Sequence, residues 1–175
     1  MLQKRSRVRK MNNIVLIGMP GCGKSSAGVL LAKTLEKDFV DTDLLIQKCE
    51  GMSLQEIIDT RGNAYFRDVE DAVLMSFDGD NYVVATGGSA VYYHAAMEKF
   101  RQDGDTIVYI KVTAPEIIKR LNNIKTRGVT LAPGQTIEDL YNERVPLYEK
   151  EADIIVETEG LDLEETVTKI AKVCP

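Results

Sequence analysis

Histidine is almost missing from this sequence: His94 is the only one, and it stands in no catalytic or ligand pattern. We read it as a surface residue. Cysteine is nearly as scarce. Cys22, Cys49 and Cys174 are far apart and show no metal-ligand spacing, which excludes a cysteine–histidine metal site. Three scattered thiols imply a reducing compartment, and we expect a cytoplasmic protein. No apolar run approaches the roughly 20 residues needed to span a membrane, so no membrane partner is expected. Acid is absent from the first ten residues, which carry Lys4, Arg5, Arg7, Arg9 and Lys10. They also lack the apolar stretch of a secretory signal. We expect 1–10 to be a disordered basic tail, with Met11 an alternative start. That tail holds five of the 22 basic residues against 27 acidic ones, so without it the net charge of −5 doubles. An acidic body excludes a broad nucleic-acid surface and favours small-molecule partners held by a few local cations. There is no internal repeat and no interdomain linker. At 175 residues and 44% hydrophobic content, residues 11–175 read as one domain, expected to be a monomer.

What is present is alternation. Apolar runs at Asn13–Gly18, Phe39–Asp41, Tyr82–Thr86, Thr106–Val112 and Asp153–Glu157 read as strands. Several are continuous Val/Ile runs, as in parallel strands buried on both faces. Helical patterns lie between them at Lys24–Lys37, Leu44–Glu50, Ser53–Phe77, Ala95–Arg101, Pro115–Asn122, Thr136–Glu151 and Leu163–Lys172. The pattern predicts an α/β fold with a parallel sheet between helix layers. Two stretches break it. Residues 125–135 form a long loop with two glycines, a proline and two cations, the profile of a lid. Pro146 interrupts a helical run, where an interior proline predicts a kink or restart.

The junction after the first strand carries the chemistry. Gly18-Met19-Pro20-Gly21-Cys22-Gly23-Lys24-Ser25 is Gly-x-x-x-x-Gly-Lys-Ser between a strand and a helix. This is the phosphate-binding loop of nucleoside triphosphate proteins. Its amides and the helix N-terminus attract anions, Lys24 reaches the outer phosphates, and the Ser25 hydroxyl can hold Mg²⁺. Cys22 fills a variable position where a small side chain fits. The guanine motif Asn-Lys-x-Asp is missing, its nearest match being Asn122-Asn123-Ile124-Lys125. Thr86-Gly87-Gly88 also fails the Asp-x-x-Gly switch pattern, so a GTPase switch is disfavoured.

The acids and arginines suggest an acceptor. Asp41-Thr42-Asp43 ends the second strand, on the sheet edge shared with the phosphate loop. Asp41 is placed to orient Mg²⁺ through water. Asp43 is placed to take a proton from an attacking hydroxyl, or to cap the helix starting at Leu44. Arg67 and Glu70 share a helix face, and alone they read as a surface ion pair. Arg144 shares a stripe with Leu140 and Leu147, so it needs a partner: a substrate carboxylate or a structural acid. Gly87-Gly88 permits close approach of backbone to a ligand, or makes a plain turn. Arg127 is a solvated loop charge or a lid arginine.

Together these segments resemble shikimate kinases from Asn12 to Lys172. The resemblance is carried by the phosphate loop, Phe39–Asp43, Tyr65–Glu70, Thr86–Ser89, Arg127 and Arg144-Val145-Pro146-Leu147-Tyr148. It implies a three-layer P-loop fold with a five-stranded parallel sheet in the order 2-3-1-4-5. It implies ATP on Gly21, Cys22, Gly23, Lys24, Ser25 and Ser26, with Arg120 on the adenine and Arg127 closing the lid. It implies Mg²⁺ at Ser25 and Asp41. Lys24, Asp43 and Arg127 would be catalytic. A hydroxy-carboxylate would be held by Asp43, Arg67, Arg144, Gly87, Gly88 and Ser89, with Glu70 steadying the arginines. The implied reaction phosphorylates the shikimate 3-hydroxyl; the same chemistry on homoserine or gluconate, and a catalytically silent ATP-binding module, are the alternatives. The chain departs from the family pattern at three places. Ser89 replaces a third glycine, Arg127-Gly128-Val129 replaces Arg-Pro-Leu, and Glu157–Gly160 lacks a proline.

Overall fold

The apolar runs form one parallel sheet: β1 (Ile14–Ile17), β2 (Asp38–Asp41), β3 (Tyr82–Ala85), β4 (Thr106–Lys111) and β5 (Ile154–Glu157). Its order is β2-β3-β1-β4-β5, the expected 2-3-1-4-5, and every neighbouring pair is parallel. The structure, a computed structural model, describes residues 11–122, 129 and 131–175. The expected tail at 1–10 and, in the expected lid, residues 125–128 and 130 with Arg127 among them lie outside the described residues.

Parallel neighbours require crossovers, and helices supply them. They are α1 (Lys24–Thr34), α2 (Thr42–Glu50), α3 (Leu54–Ser76), α4 (His94–Gln102), α5 (Ala114–Asn122), α6 (Ile137–Glu151) and α7 (Leu163–Val173). A short 3-10 turn at Ala90–Tyr92 precedes α4. The helices flank the sheet, as the alternation predicts. β1 and the middle of β4 are buried throughout, whereas the edge strands β2 and β5 are only partly buried. The main core gathers β1, β3 and β4 with Leu31, Met97, Phe100, Tyr148 and Ile170. Ile46, Ile57 and Phe66 make a second, smaller cluster joining α2 to α3.

Two helices differ from expectation. α3 starts with a capping box, Ser53 with Glu56, but breaks at Gly62, where φ is 84° and ψ 167°. That backbone is open to glycine and strained for other residues, so the helical pattern on either side does not reveal the break. α6 runs through Pro146 as one helix. The missing N–H would have served the Asn142 carbonyl, and Asn142 is exposed, so water can serve it instead.

Candidate active site

The carboxyl ends of β1, β2 and β3 open onto one cleft of about 940 Å³. In open α/β sheets ligands bind at this edge. The volume is near the upper end of small-molecule sites, room for more than one ligand.

The phosphate loop forms one wall. Gly23 takes φ 100° at the N-cap of α1, and no side chain caps this helix. The first turn of α1 also carries no acid, whereas those of α2, α3, α6 and α7 do. The positive end of α1 is thus left for an external anion. Lys24 is buried; its Nζ donates to the carbonyls of Gly18 at 2.8 Å and Met19 at 2.9 Å, and lies 3.6 Å from Cys22 Sγ. Cys22 is itself buried, with its side chain under the loop, and Ser26 is exposed.

Ser25 Oγ donates to Asp41 Oδ2 at 2.6 Å, and Asp41 Oδ1 accepts from the Asp43 amide at 2.9 Å. Asp41 is therefore the N-cap of α2, which begins at Thr42. The reading of Asp43 as a cap for a helix starting at Leu44 is corrected: the helix starts two residues earlier and the preceding aspartate takes the cap. Asp43 lies in the first turn and faces the cleft. Paired oxygens from Ser25 and Asp41 beside the phosphate loop are the hard donors that suit Mg²⁺, which takes one or two protein ligands and completes its shell with phosphate and water.

Gly87 and Gly88 bring the opposite wall together. A Cβ on Gly87 would lie 2.9 Å from Asp43 Oδ1 and 3.0 Å from Glu70 Oε1. A Cβ on Gly88 would lie 2.6 Å from Pro20 Cδ and 3.0 Å from an Arg144 guanidinium nitrogen. The two glycines therefore let an aspartate, a glutamate, an arginine and the phosphate loop approach one short turn. Ser89 also lines the cleft.

Glu70 is 4% exposed. Its oxygens accept from Ser89 Oγ at 2.6 Å and Tyr93 OH at 2.7 Å. Burial raises its pKa, against the opposing pull of those two hydrogen bonds and of Arg144 and Arg67. Arg67 stands exposed on the cleft wall. The surface-pair reading of Arg67 and Glu70 is corrected, because the acid is buried and anchored to the turn after β3. Arg144 is 6% exposed, with Nε donating to Tyr92 OH at 3.2 Å and the guanidinium 5.2 Å from the Tyr92 ring centre. Tyr92 OH also donates to Glu143, and Gln135 Nε2 reaches the same carboxylate at 3.0 Å. Tyr148 OH donates to the Gly88 carbonyl at 2.6 Å, fixing the glycine turn from α6.

Arg120 lies apart from these groups. Its Nε donates to Glu116 at 2.8 Å and its guanidinium touches the Gly21 carbonyl at 3.3 Å, bracing the phosphate loop from outside. His94 has an exposed side chain and sits 2.8 Å from Glu151 Oε1, away from the cleft lining. Burial works against the Glu151 anion, but Arg101 and His94 outweigh it and hold its pKa below the usual value. Sequence reasoning missed Tyr92 and Tyr93. They follow a strand-to-helix turn with no periodic signal; only their nearness to Gly87-Gly88 marked them.

The family model described as shikimate kinase matches residues 20–175. The chain is 40% identical over 165 residues to a shikimate kinase of Thermodesulfovibrio yellowstonii, covering 93% of this chain and 94% of the relative. It superposes with a TM-score of 0.84 on a shikimate kinase from Acinetobacter baumannii solved in complex with shikimate, at 30% identity, covering 93% and 92% of the two chains. A gluconokinase from Sinorhizobium meliloti is more distant, with a TM-score of 0.55 and 18% identity over 94% and 91% of the chains, a likeness of fold alone. On its sequence, its sheet order and its cleft, the chain belongs to the shikimate kinase family.

Proposed function

We propose that this chain transfers the terminal phosphoryl group of ATP to the 3-hydroxyl of shikimate, giving shikimate 3-phosphate and ADP. The observation that carries this reading is the meeting of Asp43, Glu70 and Arg144 around Gly87-Gly88, in the same cleft as Lys24.

The phosphate-loop amides and the uncapped end of α1 take the ATP phosphates. Lys24 exchanges its carbonyl partners for phosphate oxygens. Ser25 and Asp41 would hold Mg²⁺, which neutralises phosphate charge when bound. Arg67 and Arg144 take the acceptor's carboxylate, leaving its hydroxyls toward Asp43. The hydroxyl oxygen attacks the terminal phosphorus while the bond to the bridging oxygen breaks and ADP leaves. Asp43 accepts the hydroxyl proton. On this reading Arg120 packs on the adenine, and Arg127 adds charge stabilisation on lid closure. Among the described residues no helix is long and apolar enough to cross a membrane.

A coupled ADP-release assay across shikimate, gluconate and homoserine tests the acceptor. Turnover with shikimate, with the others at least about 10²-fold poorer in kcat/KM, is expected of a site built for this carboxylate and its hydroxyls. Robust turnover with another acid and none with shikimate would overturn it. No turnover with any acceptor, with ATP still bound, would leave the silent binding module.

A further inference from the structure

We propose that Ser89 is a positioning residue for acceptor binding: with Tyr93 it clamps the two oxygens of Glu70, and through Glu70 it sets the arginines that hold the acceptor's carboxylate. The proposal rests on the reading of Arg67 and Arg144 given above.

The geometry assigns each carboxylate oxygen of Glu70 one hydroxyl, Ser89 Oγ at 2.6 Å on Oε1 and Tyr93 OH at 2.7 Å on Oε2. An ionised carboxylate only accepts hydrogen bonds, so both hydroxyl protons are committed to it. Ser89 therefore has no proton to give a ligand, although it lines the cleft. Its effect on the acceptor passes through Glu70. The extra hydroxyl at the place of a third glycine gives Glu70 one more hydrogen bond and adds no new donor to the acceptor.

Glu70 needs such support. It is buried, and burial disfavours its charge. Asp43 faces it across Gly87, both acids standing within 3.0 Å of the point a Cβ would occupy. Asp71 follows it on α3 and adds a further like charge near Tyr93. Against these stand the two hydroxyls and the cations of Arg144 and Arg67. A carboxylate held at both oxygens cannot rotate, so it presents a fixed negative charge to the two arginines. Charge-assisted hydrogen bonds are about twice as strong as neutral ones, and two of them on one buried acid give a sizeable hold. Loss of either hydroxyl frees one oxygen and favours protonation of Glu70, and the arginines lose a fixed counter-charge.

The test compares Ser89→Ala, Tyr93→Phe and Ser89→Thr in the full chain by steady-state kinetics from pH 5.5 to 9. Melting temperatures confirm that each variant is folded, and Tyr93→Phe carries the test should Ser89→Ala fail to fold. We expect Ser89→Ala to raise the shikimate KM by about 5- to 20-fold, with the ATP KM within about twofold. The acid limb of kcat/KM for shikimate should move to higher pH. Ser89→Thr, which keeps the hydroxyl, should recover most of the loss, and Tyr93→Phe should behave as Ser89→Ala does. Arg67→Ala serves as the control. If it raises the shikimate KM while Ser89→Ala leaves KM and acid limb unchanged, the positioning role is wrong and the arginine assignment stands. If Ser89→Ala raises both KM values equally, the role is merely structural and the proposal falls. If Arg67→Ala has no effect on the shikimate KM, the assignment of the acceptor site and the proposal fall together.

Discussion

The two walls of the cleft are built differently. The donor wall is built on one contiguous segment between β1 and α1 that rests on the main core, with Lys24 held by the carbonyls of its own loop. The acceptor wall is assembled from α2, α3, the turn after β3, and α6. Part of it rests on only the small cluster of Ile46, Ile57 and Phe66. Its charged groups are held by hydroxyls from elsewhere in the chain: Ser89 and Tyr93 on Glu70, Tyr92 on Arg144. A contiguous wall tolerates change elsewhere in the chain. An assembled wall depends on every segment that reaches it, and Gly88 is where the two walls touch, between Pro20 and Arg144.

The largest expected effect breaks the donor wall. Lys24→Met should lower kcat by at least about 10³-fold, because an ammonium aimed at developing phosphoryl charge is a major electrostatic contribution. The coupled ADP assay measures this, and shikimate binding by calorimetry should be unchanged. Loss of shikimate binding would show that the walls are not separable. Gly88→Ala comes next. Its methyl meets the rigid Pro20 ring at 2.6 Å, so the phosphate loop and Arg144 must both give way. We expect the KM for ATP and that for shikimate each to rise by about 10-fold or more; a rise in one alone would move the junction of the walls elsewhere. Gly87→Ala is more selective, because the nearest neighbours of its methyl are the carboxylates of Asp43 and Glu70, on the acceptor side. It should cut kcat and weaken shikimate by several-fold to about 10-fold, with ATP affinity within about twofold. Equal weakening of ATP would contradict that selectivity.

The smallest effect sharpens the electrostatics of the acceptor wall. The Glu70 pKa is raised above its ordinary 4.5, chiefly by burial. The folded chain therefore holds this proton more tightly than the unfolded one. Its contribution to stability is complete below about 4.5 and is lost as pH rises through the raised value. Glu70→Gln removes that loss. Its melting temperature relative to the parent should climb as pH rises from 4.5 toward 7, measured by calorimetry. A difference that shrinks over the same range would contradict the direction.

The contrast between the walls also decides what the sequence makes legible. The phosphate loop is contiguous, and its chemistry needs fixed residues at fixed spacing, so Gly18 to Ser25 identifies it directly. The sheet is legible too: the buried inner strands are unbroken apolar runs, and the alternation with helices marks the partly buried edge strands, so all five appear. The acceptor wall has no such local rule. Arg144 announced itself as a charge on an apolar stripe, but its contact with Tyr92 spans 52 positions in the chain. Glu70 read as a surface residue because its helix face is set by the break at Gly62 and by Ser89 and Tyr93, which no period links to α3. The cap falls on Asp41 instead of Asp43 because a helix start is uncertain by a residue or two, and capping turns on that margin. The family resemblance assigned functions to these residues, and tertiary contacts supplied the reasons.

The separation of the walls is tested most directly by titrating shikimate and a non-hydrolysable ATP analogue into Arg144→Ala by calorimetry. Removing a buried arginine from a carboxylate site should weaken shikimate by about 10²-fold and leave the ATP analogue within about twofold. Unchanged shikimate affinity, or an equal loss for both ligands, would contradict an acceptor wall built around Arg144.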